Sequence, residues 1–219
     1  MKDCIYNNVC TSNECIGCVR YIEMSALLEQ SLLPLNMQKI IELYPDDVDY
    51  DKFVELKSIK GNIKSWVESG DFNLLIYSKF TGNGKTSWAV KMLLKYFDEI
   101  WAGNGLEPRG LFISVPKLLN RLKDFSAVDY ELGDLKKLIT LVDLVVWDDI
   151  AAIKPSDWDN SQLLNYIDDR ILSGKSNIFT ANVGNQDLRS ILGNRLYSRV
   201  WTNSIRIELF GRDRREHND

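Results

Sequence analysis

LLIYSKFTGNGKTSWAV, residues 74–90, passes from an apolar run through a polar, glycine-bearing loop into a helix-like pattern. Leu74, Leu75, Ile76 and Tyr77 have the character of a buried strand. Gly82-Asn83-Gly84-Lys85-Thr86 follows and opens the helix. Strand, glycine loop and helix in that order are the context of a phosphate-binding loop. Backbone N–H groups of such a loop, and of the helix N-terminus behind it, point at an anion. Lys85 is then expected to reach terminal phosphates, and the Thr86 hydroxyl to hold magnesium. The contacting run is Thr81, Gly82, Asn83, Gly84, Lys85, Thr86 and Ser87. One position departs: the pattern G-x-x-x-x-G-K-[ST] asks for glycine where Lys79 stands. A glycine-rich turn with a chance GKT is the plain alternative.

A nucleotide site needs a second half, and Leu144-Val145-Val146-Trp147-Asp148-Asp149 supplies a candidate. A hydrophobic strand ends there in two acids. In a parallel α/β sheet, the C-terminal strand ends face the ligand crevice. Asp148 is expected beside the magnesium ion, and Asp149 is placed to orient an attacking water. An acidic helix cap after a strand is the bland reading. Phe179-Thr180-Ala181-Asn182 ends the next strand, and Asn182 could hydrogen-bond a γ-phosphate or the water. Asn182 competes as a turn former, because Gly184-Asn185 follows. Arg195 and Arg199 lie four apart on one helix face. Either could reach a neighbouring subunit's γ-phosphate as an arginine finger, or merely meet surface acids. The tail Phe210-Gly211-Arg212-Asp213-Arg214-Arg215 is basic. An arginine there could fold onto the nucleotide or only solubilise the end.

The bulk numbers set the frame. The 219 residues suit one substantial domain with a small appendage. Apolar content of 45% and charged content of 26% are ordinary for a soluble globular protein. No apolar stretch is long enough to span a membrane, and no export signal opens the chain, so a cytoplasmic location is expected. A net charge of −4 argues against a non-specific DNA-binding polycation.

All 4 cysteines fall at the front: Cys4, Cys10, Cys15 and Cys18, in the pattern C-x5-C-x4-C-x2-C. Disulfide staples would be spread through a fold. Four clustered thiolates read better as a tetrahedral zinc shell in a segment too small to build its own core. An iron–sulfur cluster or reduced thiols remain alternatives.

Along the chain, helical spacing predicts helices over 20–31 and 50–69, with a domain boundary near residue 45. The expected units are an N-terminal zinc-binding helical module over 1–45 and an ATPase domain over 46–219. Strands are expected at 72–78, 111–115, 142–147, 177–182 and 205–210. Helices are expected between them at 85–97, 116–124, 133–140, 155–172 and 186–201. Apolar strands alternating with helices imply an α/β fold with a five-stranded, mostly parallel sheet covered on both faces.

With these elements in order, the chain resembles the AAA+ ATPases of the DnaC/DnaI helicase-loader group, in their short phage-encoded form. The residues that carry the resemblance are the cysteine cluster running into Arg20-Tyr21-Ile22-Glu23-Met24, then GNGKTSWA, VVWDDI, FTANV, LGNRLYSRV and FGRDRR. The resemblance implies ATP, magnesium and zinc as cofactors. It makes Lys85 and Thr86 the Walker A residues and Asp148 and Asp149 the Walker B pair. Asn182 becomes sensor I, Arg199 the arginine finger and Arg215 the sensor II arginine. It implies self-assembly into an AAA+ oligomer, a hexameric replicative helicase as partner and single-stranded DNA as the loading target. The location implied is bacterial or phage-infected host cytoplasm. The front module is the implied helicase grip. Lys117, Arg121 and Lys123 are the candidate DNA contacts, against a plain solvated basic face. Asp149 replaces the usual glutamate, and a carboxylate one methylene shorter implies slow hydrolysis, suited to a switch. The competing readings are an IstB-type transposition adaptor, a non-hydrolysing scaffold that occupies the helicase, and a small P-loop kinase.

Overall fold

The computed structural model describes residues 10, 17–39, 42–123, 130–152 and 156–213, with the backbone alone for 130–132. Among them runs a five-stranded, all-parallel sheet in the order β2-β3-β4-β1-β5. Its strands are β1 (Asn73–Tyr77), β2 (Gly110–Ser114), β3 (Leu144–Asp148), β4 (Ser176–Ala181) and β5 (Ile205–Glu208). The helices are α1 (Val19–Gln30), α2 (Tyr50–Gly61), α3 (Ile63–Glu68), α4 (Lys85–Ile100), α5 (Val115–Lys123), α6 (Tyr130–Leu141), α7 (Asp157–Leu172) and α8 (Asn185–Tyr197). No helix among the described residues is long and apolar enough to cross a membrane.

Strand β1 is buried along its whole length, as a central parallel strand must be when both faces are covered. Leu74 and Ile76 face one apolar cluster, and Leu75 and Tyr77 the other, following the two-residue alternation of a strand. The first cluster is dominated by α4. Trp88, Met92, Leu93, Tyr96 and Phe97 recur at helical spacing, all of them buried. Phe53 of α2 meets Trp88 edge-on at 5.2 Å between ring centroids. Each such side chain contributes about 1.5–3 kcal/mol on burial. Leu93→Ala would therefore cost about 2–5 kcal/mol through the cavity it leaves.

Three local departures from the sequence reading have physical causes. The helix expected over 50–69 is two helices, because Gly61 ends α2 and Asn62 leaves helical geometry (φ −115°, ψ 18°). The helix expected over 186–201 is broken at Gly193, whose φ of 70° and ψ of 167° no other residue type adopts readily. It then continues as a π-helical turn, Ser198–Thr202. Helix α7 starts at Asp157 behind a capping box, in which Ser156 and Asp159 satisfy each other's backbone N–H groups.

Helix α1 does not build a core of its own. Met24, Leu27, Leu28 and Leu33 join the cluster formed by α4 and β1, and the Phe112 N–H of β2 donates to the Ser31 carbonyl (2.7 Å). Residues 19–33 thus share packing with the sheet and its helices.

Candidate functional site

The C-terminal ends of β1, β3 and β4 meet at a cavity of about 350 Å³, lined by Met37, Gly82, Gly84, Lys85, Thr86, Ser87, Val90, Asp148, Asp149 and Asn182. The strand order explains the convergence. β4 lies between β1 and β3, so the glycine loop after β1 and the acids after β3 open on the same side.

The loop is built from its own side chains. Ser78 is fully buried, and its hydroxyl accepts hydrogen bonds from Phe80 N (3.0 Å) and Asn83 Nδ2 (2.7 Å). Asn83 also reaches the Leu209 carbonyl. Gly82 and Gly84 have φ of 68° and 98°, where a Cβ would be strained. Gly84 is the residue before α4, whose first residues, Lys85, Thr86 and Ser87, line the cavity. Lys85 is only 4% exposed. Its ammonium donates to the Phe80 carbonyl (2.7 Å) and to Asn83 Oδ1 (3.0 Å), so the loop itself holds the charge in place. Lys79 stands where the pattern asks for glycine, and its φ is not positive, so a side chain is tolerated there.

At the acid side, Asp148 Oδ1 accepts from both Thr86 Oγ1 and Thr180 Oγ1, each at 2.8 Å. The Thr180 hydroxyl in turn accepts from the Asp149 backbone N–H at 2.9 Å. Thr180 therefore ties the tip of β3 to β4. Asp149 has a left-handed backbone (φ 57°), a conformation aspartate adopts more readily than most residues, and its carboxylate accepts from Asn182 Nδ2. Local backbone strain of this kind is a marker of functional sites. The Thr86 hydroxyl and the Asp148 carboxylate face each other, a hard oxygen pair of the kind magnesium takes beside substrate phosphates.

Thr81 to Ser87, Asp148, Asp149 and Asn182 are thus gathered at one place. Arg199 does not line the cavity. It pairs with Asp168 of α7 in the same chain, and Arg195 is exposed. Arg215 lies outside the described residues. Among the described residues, the tail residue that reaches the loop is an acid. Asp213 rests so close on Gly82 that a Cβ there would fall 1.7 Å from its Oδ1, and Thr81 Oγ1 donates to it at 3.4 Å. The buried Asp49 carboxylate straps that tail down by accepting from Phe210 N (2.7 Å) and Gly211 N (2.8 Å), and Asp46 accepts from Arg212 N (3.0 Å).

Among the DNA-contact candidates, Lys123 is committed to the buried Asp159 of the α7 cap at 2.8 Å; Lys117 is exposed. Of the cysteines, Cys4 and Cys15 lie outside the described residues, Cys10 is exposed and Cys18 half-buried. The described residues contain no cluster of three or more His, Cys, Asp or Glu arranged to hold a metal. Met37, Val90, Thr180 and Asp213 escaped the sequence reading. Only Thr180 left a signal: it shares a strand face with Asn182 by simple alternation.

This sheet order, with a phosphate-type loop after β1 and paired acids after β3, defines the fold of an AAA+ P-loop ATPase. Solved structures share it. The DnaC helicase loader superposes with a TM-score of 0.61 at 20% identity, covering 76% of this chain and 93% of that one. DnaI reaches 0.65 at 17% identity, covering 88% and 98%. AMPPCP-bound DnaA from Aquifex aeolicus reaches 0.58 at 18%, covering 78% of this chain and 48% of that one. The sequence matches no protein-family model and no curated protein. At these identities the likeness establishes the fold.

Proposed function

We propose that this chain is an ATP-dependent loader that binds a hexameric replicative helicase and delivers it onto single-stranded DNA. The observation that carries the proposal is the cavity itself: loop, lysine, acid pair and strand-tip amide converge on one opening, within a fold shared with solved DnaC and DnaI. In this reading Lys85 holds the terminal phosphates, and Thr86 and Asp148 ligate magnesium. The ion, when bound, neutralises phosphate charge. Asp149 accepts the proton of an attacking water and Asn182 fixes that carboxylate's direction. Arg199 serves a neighbouring subunit in an AAA+ oligomer, and Asp168 holds it until the subunits meet. Arg215 is assigned to the same nucleotide, from the tail. The segment over 1–45, with zinc on Cys4, Cys10, Cys15 and Cys18, is the helicase grip. Lys117 remains the DNA contact least engaged in intrachain pairing.

The test is the mass of the complex formed with the host replicative helicase, measured by light scattering with and without ATP. A nucleotide-dependent complex is the expected result. Absence of any complex would refute the loader reading. A second reading, a scaffold that binds nucleotide without turnover, draws on the strained Asp149 backbone and on Lys79.

A further inference from the structure

Lys79 has no role in the site as described, and its surroundings suggest one. Its backbone is set by the neighbouring Ser78, whose hydroxyl pins the loop on both sides. Its side chain crosses from the loop to Gly184. A Cβ on Gly184 would fall 2.6 Å from Lys79 Cε, 3.5 Å from Cγ and 3.7 Å from Cδ. Gly184 itself has an ordinary extended backbone (φ −80°, ψ 177°). A side chain at Gly184 would have to displace the outer part of the lysine stem. Gly184 lies two residues beyond Asn182, which holds the Asp149 carboxylate. The Lys79 stem therefore lies against the segment that follows Asn182, which lines the cavity, and Lys79 itself stands three residues before Gly82, which also lines it.

The cavity carries more acid than base. Of the cavity's charged lining groups, Asp148 and Asp149 are acids and Lys85 is the one cation. Lys85 is turned inward onto Phe80 and Asn83. A terminal phosphate entering beside Asp149 meets a carboxylate. The Lys79 ammonium is exposed and makes no ion pair among the described residues. It is a compact charge on a flexible stem, able to swing a short way from its anchor.

We propose that Lys79 is a second phosphate-binding cation, supplied in cis, which contacts the terminal phosphate and makes the site discriminate a nucleoside triphosphate from a diphosphate. This rests on the nucleotide reading of the cavity. The substitution of glycine by lysine at the head of the loop thus adds a contact that the loop's backbone cannot make.

The test is equilibrium binding of AMPPCP and of ADP, each with magnesium, to the full chain by calorimetry. Lys79→Met keeps the stem on Gly184 and removes the charge. It should weaken AMPPCP about tenfold, the worth of one charge-assisted hydrogen bond, with ADP changed less than about twofold. Lys79→Arg should restore most of the difference. Gly184→Ala, which pushes the stem aside without touching the charge, should reproduce part of the loss. Equal AMPPCP binding by wild type and Lys79→Met would overturn the proposal and leave Lys79 a packing strut. Equal weakening of both nucleotides would overturn it as well. A wild-type chain that binds neither nucleotide would refute the nucleotide reading, and the proposal with it.

Discussion

The two ends of the sheet carry two polar clusters of opposite character. At the N-terminal strand ends, Arg170 is fully buried, yet its guanidinium is saturated. It donates to Asn177 Oδ1 (2.8 Å) and to the carbonyls of Val142 (2.9 Å), Asp143 (3.2 Å), Ile139 and Ser176. Burial lowers it to about 9, which still leaves it charged at neutral pH. Asp143 beside it receives Lys175 (2.9 Å), Arg109 and the Tyr96 hydroxyl (3.0 Å). At the C-terminal ends, two adjacent carboxylates and the cation Lys85 line an open cavity. The first cluster is closed on itself around Arg170. The second borders a cavity large enough to admit a ligand. A buried polar network rigidifies a fold, and charged groups gathered at an open cavity are where a ligand is met.

That contrast can be broken at either end. The largest effect is expected at the saturated end. Arg170→Ala strands several buried carbonyls and should cost about 3–5 kcal/mol of stability, read from urea unfolding. Asp148→Asn at the open end should leave the melting temperature within about 2 °C, yet lower magnesium-dependent ATP turnover about 100-fold. If Asp148→Asn melts as early as Arg170→Ala, the two clusters are not different in kind. Asp213→Asn should tighten ATP binding by about threefold at low salt, an advantage lost in 1 M salt, because a carboxylate on the loop repels the incoming phosphates. Weaker binding by that variant would mean the tail supports the loop.

The smallest effect concerns pH. Burial pushes the Asp143 carboxyl up, but hydrogen bonds and charge from Lys175 and Arg109 outweigh it, and the net shift is downward. On acidification the unfolded chain therefore binds its proton first. The stabilisation is complete above the ordinary carboxyl range near pH 4 and is lost as pH falls through the depressed folded value. Asp143→Asn should flatten the acid limb of the stability curve; an unchanged limb would contradict the assignment.

Strands and site acids were legible because each is written locally. β1 and β3 are continuous apolar runs, and the loop and acid pair sit directly behind them. The split at Asn62 was harder, since apolar residues continue at helical spacing through Ile63 to Val67. The break at Gly193 and the π turn after it left no mark in the spacing of the apolar residues. Apart from the pairing of Thr86 with Asp148, which the two motifs imply, contacts across the chain were not readable. Asp49 straps Phe210 and Gly211, and Lys79 lies on Gly184, because the fold brings distant segments together. The contact of Asp213 with the loop left no mark in the basic tail around it.

The most direct measurement is steady-state ATP hydrolysis, with helicase and single-stranded DNA present, by wild type and Asp149→Ala. Slow turnover by the wild type, clearly above an Asp149→Ala variant that still binds ATP, is the predicted result. Equal rates at background in both would contradict the account and leave the cavity a nucleotide-binding scaffold.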